Sequence, residues 1–133
     1  MEGYGSRVLV VDDEDDVREL MADALVRAGY SVFTARDGME ALGEIKKRRF
    51  EVIVTDYQMP MMNGLELLSL SRVLIPNTPV IMVSGAASAM ERVALERGAF
   101  AWIRKPSDPR TVLEMVRVAT RPDQSTVERA AAV

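Results

Sequence analysis

Five short runs rich in β-branched and apolar residues alternate along the chain with five segments of helical periodicity, and this alternation restricts the fold more than any other feature. Arg7-Val8-Leu9-Val10-Val11 reads as a strand apolar on both faces, as a central parallel strand must be. Val17, Leu20, Met21, Ala24, Leu25 and Ala28 then recur at helical spacing from Asp15 to Ala28, and Gly29 stops the run. Further strands are expected at Ser31 to Ala35, Glu51 to Thr55, Pro79 to Val83 and Phe100 to Ile103. Further helices are expected at Gly38 to Arg48, Gly64 to Leu74, Ser88 to Arg97 (ended by Gly98) and Pro109 to Thr120. Strand-helix units joined by such short connections imply a doubly wound, five-stranded parallel sheet with right-handed crossovers and helices on both faces. The 133 residues suit one α/β domain. Residues 1–6 are expected as an extension, 7–120 as the domain and 121–133 as a tail or linker.

Two zeros narrow the chemistry. The sequence contains no cysteine and no histidine, which removes disulfides, Cys or His zinc sites, Ser-His-Asp triads, thiolate nucleophiles and imidazole acid-base catalysis. Charge is concentrated rather than extreme. The net charge is −3, yet five acids stand together as Asp12-Asp13-Glu14-Asp15-Asp16, and without them the remainder is −3 + 5 = +2. A near-neutral remainder argues against a broad nucleic-acid surface. The start of the sequence lacks the basic and apolar pattern of a secretion signal, and no apolar stretch approaches the roughly 18 residues of a membrane span. A cytoplasmic location is therefore expected.

In doubly wound sheets, ligands bind at the carboxyl ends of the strands. Those ends carry Asp12 and Asp13, then Asp56, then Ser84-Gly85-Ala86, then Arg104-Lys105-Pro106. Asp37 follows the second strand, but its charge suits the entrance of the next helix, as do Asp15 and Asp16 at the first. Asp12, Asp13 and Asp56 would converge at one edge. At about 5 Å and an effective dielectric near 20, each ionised pair repels by roughly 3 kcal/mol. A hard cation such as Mg²⁺, or Mn²⁺, would neutralise an all-oxygen cluster of this kind. A carboxylate beside a metal can attack a phosphoryl group and form an acyl phosphate. Ser84 could hydrogen-bond one phosphoryl oxygen, and Lys105, one of only three lysines, could pair with another. Three aspartates, one lysine and one divalent ion sum to zero charge, and phosphorylation changes that sum by only about one.

Val10-Val11-Asp12-Asp13-Glu14, Asp56-Tyr57-Gln58-Met59-Pro60, Asn63-Gly64, Val83-Ser84-Gly85-Ala86 and Lys105-Pro106 occur in this order at the ends of successive strands. From about Arg7 to Thr120 this pattern resembles the receiver domain of two-component response regulators, a flavodoxin-like fold. The resemblance implies that Asp56 is the phosphoacceptor. It also implies that Asp13, Asp56 and the backbone carbonyl of Gln58 ligate Mg²⁺, with Asp12 acting largely through water. Ser84 would move its hydroxyl toward the phosphoryl group, Lys105 would be the ion-pair partner, and Lys105-Pro106 would contain a cis peptide. Pro60 and Gly64 would shape the loop beneath the site.

By the same resemblance, the fourth helix, fifth strand and fifth helix form the output face toward a downstream protein or output domain. Trp102 stands where the family usually has a Tyr or Phe switch residue; as plain packing it would be a large boundary aromatic. The donor would be the phosphohistidine of a sensor histidine kinase or a histidine phosphotransfer protein, since this chain has no histidine. The domain would catalyse its own phosphorylation and dephosphorylation and would act as a signalling module, with no direct contact to nucleic acid or membrane. An alternative is a receiver-like interaction domain that works without phosphorylation. An aspartyl-phosphate hydrolase would need a second acid two residues after Asp56, where Gln58 stands.

Overall fold

A computed structural model describes residues 5–85, 89–105 and 108–121. Its elements alternate as β1 (Arg7–Val11), α1 (Asp15–Arg27), β2 (Ser31–Ala35), α2 (Gly38–Lys47), β3 (Val52–Asp56), α3 (Gly64–Leu74), β4 (Val80–Ser84), α4 (Ala89–Glu96), β5 (Ala101–Arg104) and α5 (Pro109–Ala119). All strand pairings are parallel, in the order β2-β1-β3-β4-β5. The chain first moves outward from β1 to β2 and then continues on the other side through β3, so the direction reverses at β1/β3. That reversal opens a crevice at the carboxyl ends of the strands.

Successive side chains of a strand point to opposite faces, and here both faces are covered. Val8, Val10, Val52 and Val54 pack with Met21 and Leu25 of α1 and Val112 and Val116 of α5. Leu9, Val11, Ile53 and Met82 pack with Ala41 and Ile45 of α2, Leu67 and Leu68 of α3 and Ala94 of α4. The helices stop and start where local chemistry dictates. Asp37 accepts the Glu40 amide at 2.8 Å to cap α2, and Asn63 and Glu66 form a reciprocal capping box on α3. Gly29 and Gly98 take φ values of 97° and 104° after α1 and α4, a conformation that favours glycine.

Relative to the sequence reading, β3, β4 and β5 each end one residue later. The ladder runs on through polar residues, with Asp56 beside Val83 and Ser84 beside Arg104. Tyr57 and Lys105 extend it by donating their amides to the Val83 and Ser84 carbonyls at 3.0 and 2.8 Å. Among the described residues, no helix is long and apolar enough to cross a membrane.

Candidate functional site

Backbone pairing decides where the polar side chains stand. Asp12 follows β1 and remains tied to the sheet, donating its amide to the Ala35 carbonyl at 3.1 Å. Asp56 ends β3 and Ser84 ends β4, so both lie inside the sheet edge; Asp56 is 4% exposed and Ser84 is fully buried. Lys105 follows β5 and reaches across the carboxyl edge. Its Nζ lies 3.0 Å from Asp12 Oδ2, 3.3 Å from Asp56 Oδ2 and 3.7 Å from Glu14 Oε1. Asp12, Asp13 and Asp56 can each offer a carboxylate oxygen within 4.8 Å of the others. The three expected acids and the expected lysine therefore meet in one place. Pro106 and Ala86 fall outside the described residues, so the expected cis peptide before Pro106 falls there too.

The electrostatics follow from burial. Asp12 is fully buried, and Asp13 is exposed at the mouth. Burial pushes the Asp56 carboxyl up to about 6, and the neighbouring Asp12 charge adds to the rise. The Lys105 ammonium and the Gln58 amide, 3.4 Å from Asp56 Oδ1, oppose that rise without cancelling it. Burial alone would lower the Lys105 ammonium, but its hydrogen bond to Asp12 and the charges of Asp56 and Asp12 hold it above its ordinary value. Three carboxylates against one ammonium leave an excess of two negative charges. The donor set is all oxygen, which fits a hard divalent cation.

The floor of the site is equally constrained. Gly64 begins α3 and donates its amide to the Tyr57 carbonyl at 2.7 Å. A β-carbon at Gly64 would lie 2.5 Å from Met82 Sδ, 2.6 Å from the Asp56 carbonyl oxygen and 2.9 Å from Tyr57 Cα. Only a residue without a side chain lets the helix approach the strand end so closely. In the preceding loop, Pro60 accepts the Met62 amide at 2.7 Å, and Met61 adopts a φ of 69° while 80% exposed.

Trp102 of β5 lies half-buried, in the layer that includes Met90 and Val93 of α4. Its ring meets that of Tyr57 at 5.7 Å between centroids, with a tilt of 46°. Its indole Nε1 is buried and, among the described residues, has no hydrogen-bond partner. Two contributors escaped the sequence reading. Tyr57 packs against Trp102, and Arg18 donates through Nη1 to the Asp12 carbonyl at 2.8 Å. The only trace of Arg18 in the sequence is a long cation beside the apolar stripe of α1, two residues after the acidic run.

Known proteins share this arrangement of elements. The nitrogen assimilation regulatory protein NtrX of Azorhizobium caulinodans is 43% identical over 102 residues, covering 74% of this chain and 22% of that protein. The response regulator MprA of Mycobacterium sp. (strain KMS) is 38% identical over 116 residues, covering 86% of this chain and 50% of that protein. The chain thus spans half or less of the length of these two regulators. Among solved structures, the chemotaxis response regulator CheY4 of Vibrio cholerae superposes with a TM-score of 0.80 at 35% identity, covering 86% of this chain and 98% of that one. Receiver domains take phosphoryl groups from histidine kinases and couple to output domains. The family model described as the response regulator receiver domain matches residues 8–117, from the first strand into the last helix that frame the acidic cluster, and the chain belongs to that family.

Proposed function

We propose that residues 7–120 form a phosphorylation switch in which Asp56 accepts a phosphoryl group from the phosphohistidine of a sensor histidine kinase or a histidine phosphotransfer protein. The observation that carries this reading is the meeting of Asp12, Asp13 and Asp56 with Lys105 Nζ at the carboxyl edge of the sheet, with 3.0 and 3.3 Å from the ammonium to the two buried carboxylates. In the transfer, an Asp56 carboxylate oxygen forms a bond to phosphorus. The phosphorus–nitrogen bond breaks, and the donor imidazole leaves with its electron pair. Nucleophilic attack requires ionised Asp56, which Lys105 and the Gln58 amide favour against burial.

Asp12, Asp13, Asp56 and the backbone carbonyl of Gln58 would hold Mg²⁺ (or Mn²⁺), which would offset negative charge on the phosphoryl group. Lys105 neutralises the added charge from the β5 side, and the Ser84 hydroxyl hydrogen-bonds a phosphoryl oxygen. α4, β5 and α5 form the face read by a downstream protein or output domain, with Trp102 as the residue that responds. A cytoplasmic setting follows from a phosphohistidine donor.

Acetyl phosphate with Mg²⁺ tests the reading. One phosphate should be added to the intact mass, and Asp56→Asn should abolish the addition. An unmodified mass for the folded protein sinks the switch and leaves the phosphorylation-independent interaction domain. Beryllofluoride should also change Trp102 fluorescence; a flat signal means that the ring only packs.

A further inference from the structure

Asp12 is bonded at each of its polar atoms. Its amide donates to the Ala35 carbonyl, Oδ1 accepts the Glu14 amide at 2.9 Å, and Oδ2 accepts Lys105 Nζ at 3.0 Å. Strand pairing, a local turn and charge attraction explain these three. The fourth bond is of another kind. Arg18, in the first turn of α1, reaches back six residues to the Asp12 carbonyl oxygen, Nη1 donating at 2.8 Å. The same guanidinium holds Asp15 Oδ1 through Nη2 at 2.6 Å, and the Arg18 side chain is only 12% exposed. A planar fork fixed at two points has little freedom left.

The consequence falls on Asp13. The Asp12 carbonyl oxygen and the Asp13 amide lie in one rigid peptide plane. Holding that oxygen sets the rotation of the plane, and with it the direction in which the Asp13 side chain leaves the backbone. Asp13 needs such external support, because among the described residues no hydrogen bond or ion pair is made to its carboxylate. Its oxygen nevertheless lies within 4.8 Å of those of Asp12 and Asp56, against their mutual repulsion.

We infer that Arg18 is a positioning residue for the divalent-cation site, holding the Asp12–Asp13 peptide so that the Asp13 carboxylate stays within reach of the other two. The inference rests on the metal-binding reading of the cluster proposed above. It also has a distinctive sign. As a bare positive charge beside three carboxylates, Arg18 would weaken cation binding, and its removal would tighten it. As a positioning residue, its removal weakens binding. A contribution to helix stability alone would leave the affinity of the folded protein unchanged.

The test is calorimetric titration of Mg²⁺ into the full chain, its Arg18→Met and Arg18→Lys variants, and Arg27→Met as a control that removes a surface pair with Asp23 on the same helix. Urea unfolding without divalent cation is measured in parallel. Arg18→Met is expected to bind Mg²⁺ about tenfold more weakly, the scale seen when partners that orient metal ligands are lost. Arg18→Lys should lose about threefold, because an ammonium cannot grip the Asp12 carbonyl and Asp15 in one planar fork. Arg27→Met should match the parent. Arg18→Met binding within twofold of the parent, or more tightly, overturns the inference while leaving the cation site intact. Should Arg18→Met fail to fold, parent-like affinity in Arg18→Lys overturns it instead. A parent protein that binds no Mg²⁺ removes the metal reading and this inference together.

Discussion

Replacing Asp56 by asparagine should make the metal-free protein more stable at neutral pH, although it removes the proposed reactive group. Asp56 is 4% exposed, and its carboxyl is raised from 3.8 to about 6 by burial and by the Asp12 charge. At about 1.4 kcal/mol per pH unit, keeping Asp56 ionised in the folded state costs about 3 kcal/mol. Between these two values the folded protein holds a proton that the unfolded chain has released. Stability therefore falls as pH rises from about 4 to about 6 and levels off above that window. Asparagine has nearly the same shape and no charge, and Lys105 keeps its 3.0 Å contact with Asp12. The variant should thus gain about 2–3 kcal/mol at pH 7.5 and almost nothing at pH 4. Urea unfolding followed by far-ultraviolet circular dichroism in EDTA, at several pH values, measures the difference directly. An unchanged urea dependence would assign the gain to the folded state's charge. A variant no more stable than the parent at pH 7.5, or a gain that does not vary with pH, would refute the reasoning.

Other perturbations probe the same edge of the sheet. Lys105→Met should destabilise the protein by about 3 kcal/mol at pH 7.5, because it strands two buried carboxylates; the loss should shrink toward pH 5 in the same urea assay. Gly64→Ala drives a methyl against Met82, the Asp56 carbonyl and Tyr57, so thermal unfolding should show a loss of about 1–3 kcal/mol, and acetyl phosphate labelling should slow. Met61→Gly should have the opposite effect on stability. It relieves a φ of 69° at an 80% exposed position, for a net gain of about 0.5–1 kcal/mol after the greater chain entropy of glycine. Mg²⁺ at ten times its dissociation constant should add about 1.4 kcal/mol of stability, read as a rise in melting temperature that Asp13→Asn abolishes.

The fold was legible because its cause is periodic. A parallel sheet covered on both sides demands continuous apolar strands, and β1 and β2 lie where their β-branched runs do. The capping residues Asp37 and Asn63 and the terminal Gly29 and Gly98 punctuate the helices in the sequence itself. Hydrophobic periodicity is silent about a polar residue whose backbone still pairs, which is why the ends of β3 and β4 fell one residue short. The same silence concealed how deeply Asp12 and Ser84 are buried, since strand-end carboxylates and hydroxyls look open to solvent in a sequence. Convergence of Asp12, Asp13, Asp56 and Lys105 followed from topology, because strand ends of one doubly wound sheet share an edge. The grip of Arg18 on a main-chain oxygen, and the Tyr57–Trp102 contact between neighbouring strand regions, depend on side-chain reach and leave no periodic trace.

The buried indole nitrogen of Trp102, without an acceptor among the described residues, sets an energy scale for the β5 edge of the sheet. A buried donor without an acceptor costs about 1–3 kcal/mol, so the inward ring rests in a shallower well than a phenylalanine of similar fit would occupy. A change of about 1.4 kcal/mol shifts a two-state population tenfold. If Trp102 responds to phosphorylation as proposed, modest work at the strand ends, passed along the Tyr57 ring that touches it, would be enough to redistribute it between sheltered and solvated positions. Among the described residues, the tryptophan fills its place beside Tyr57 in shape while its hydrogen-bonding capacity goes unmet, the combination a responsive edge would need.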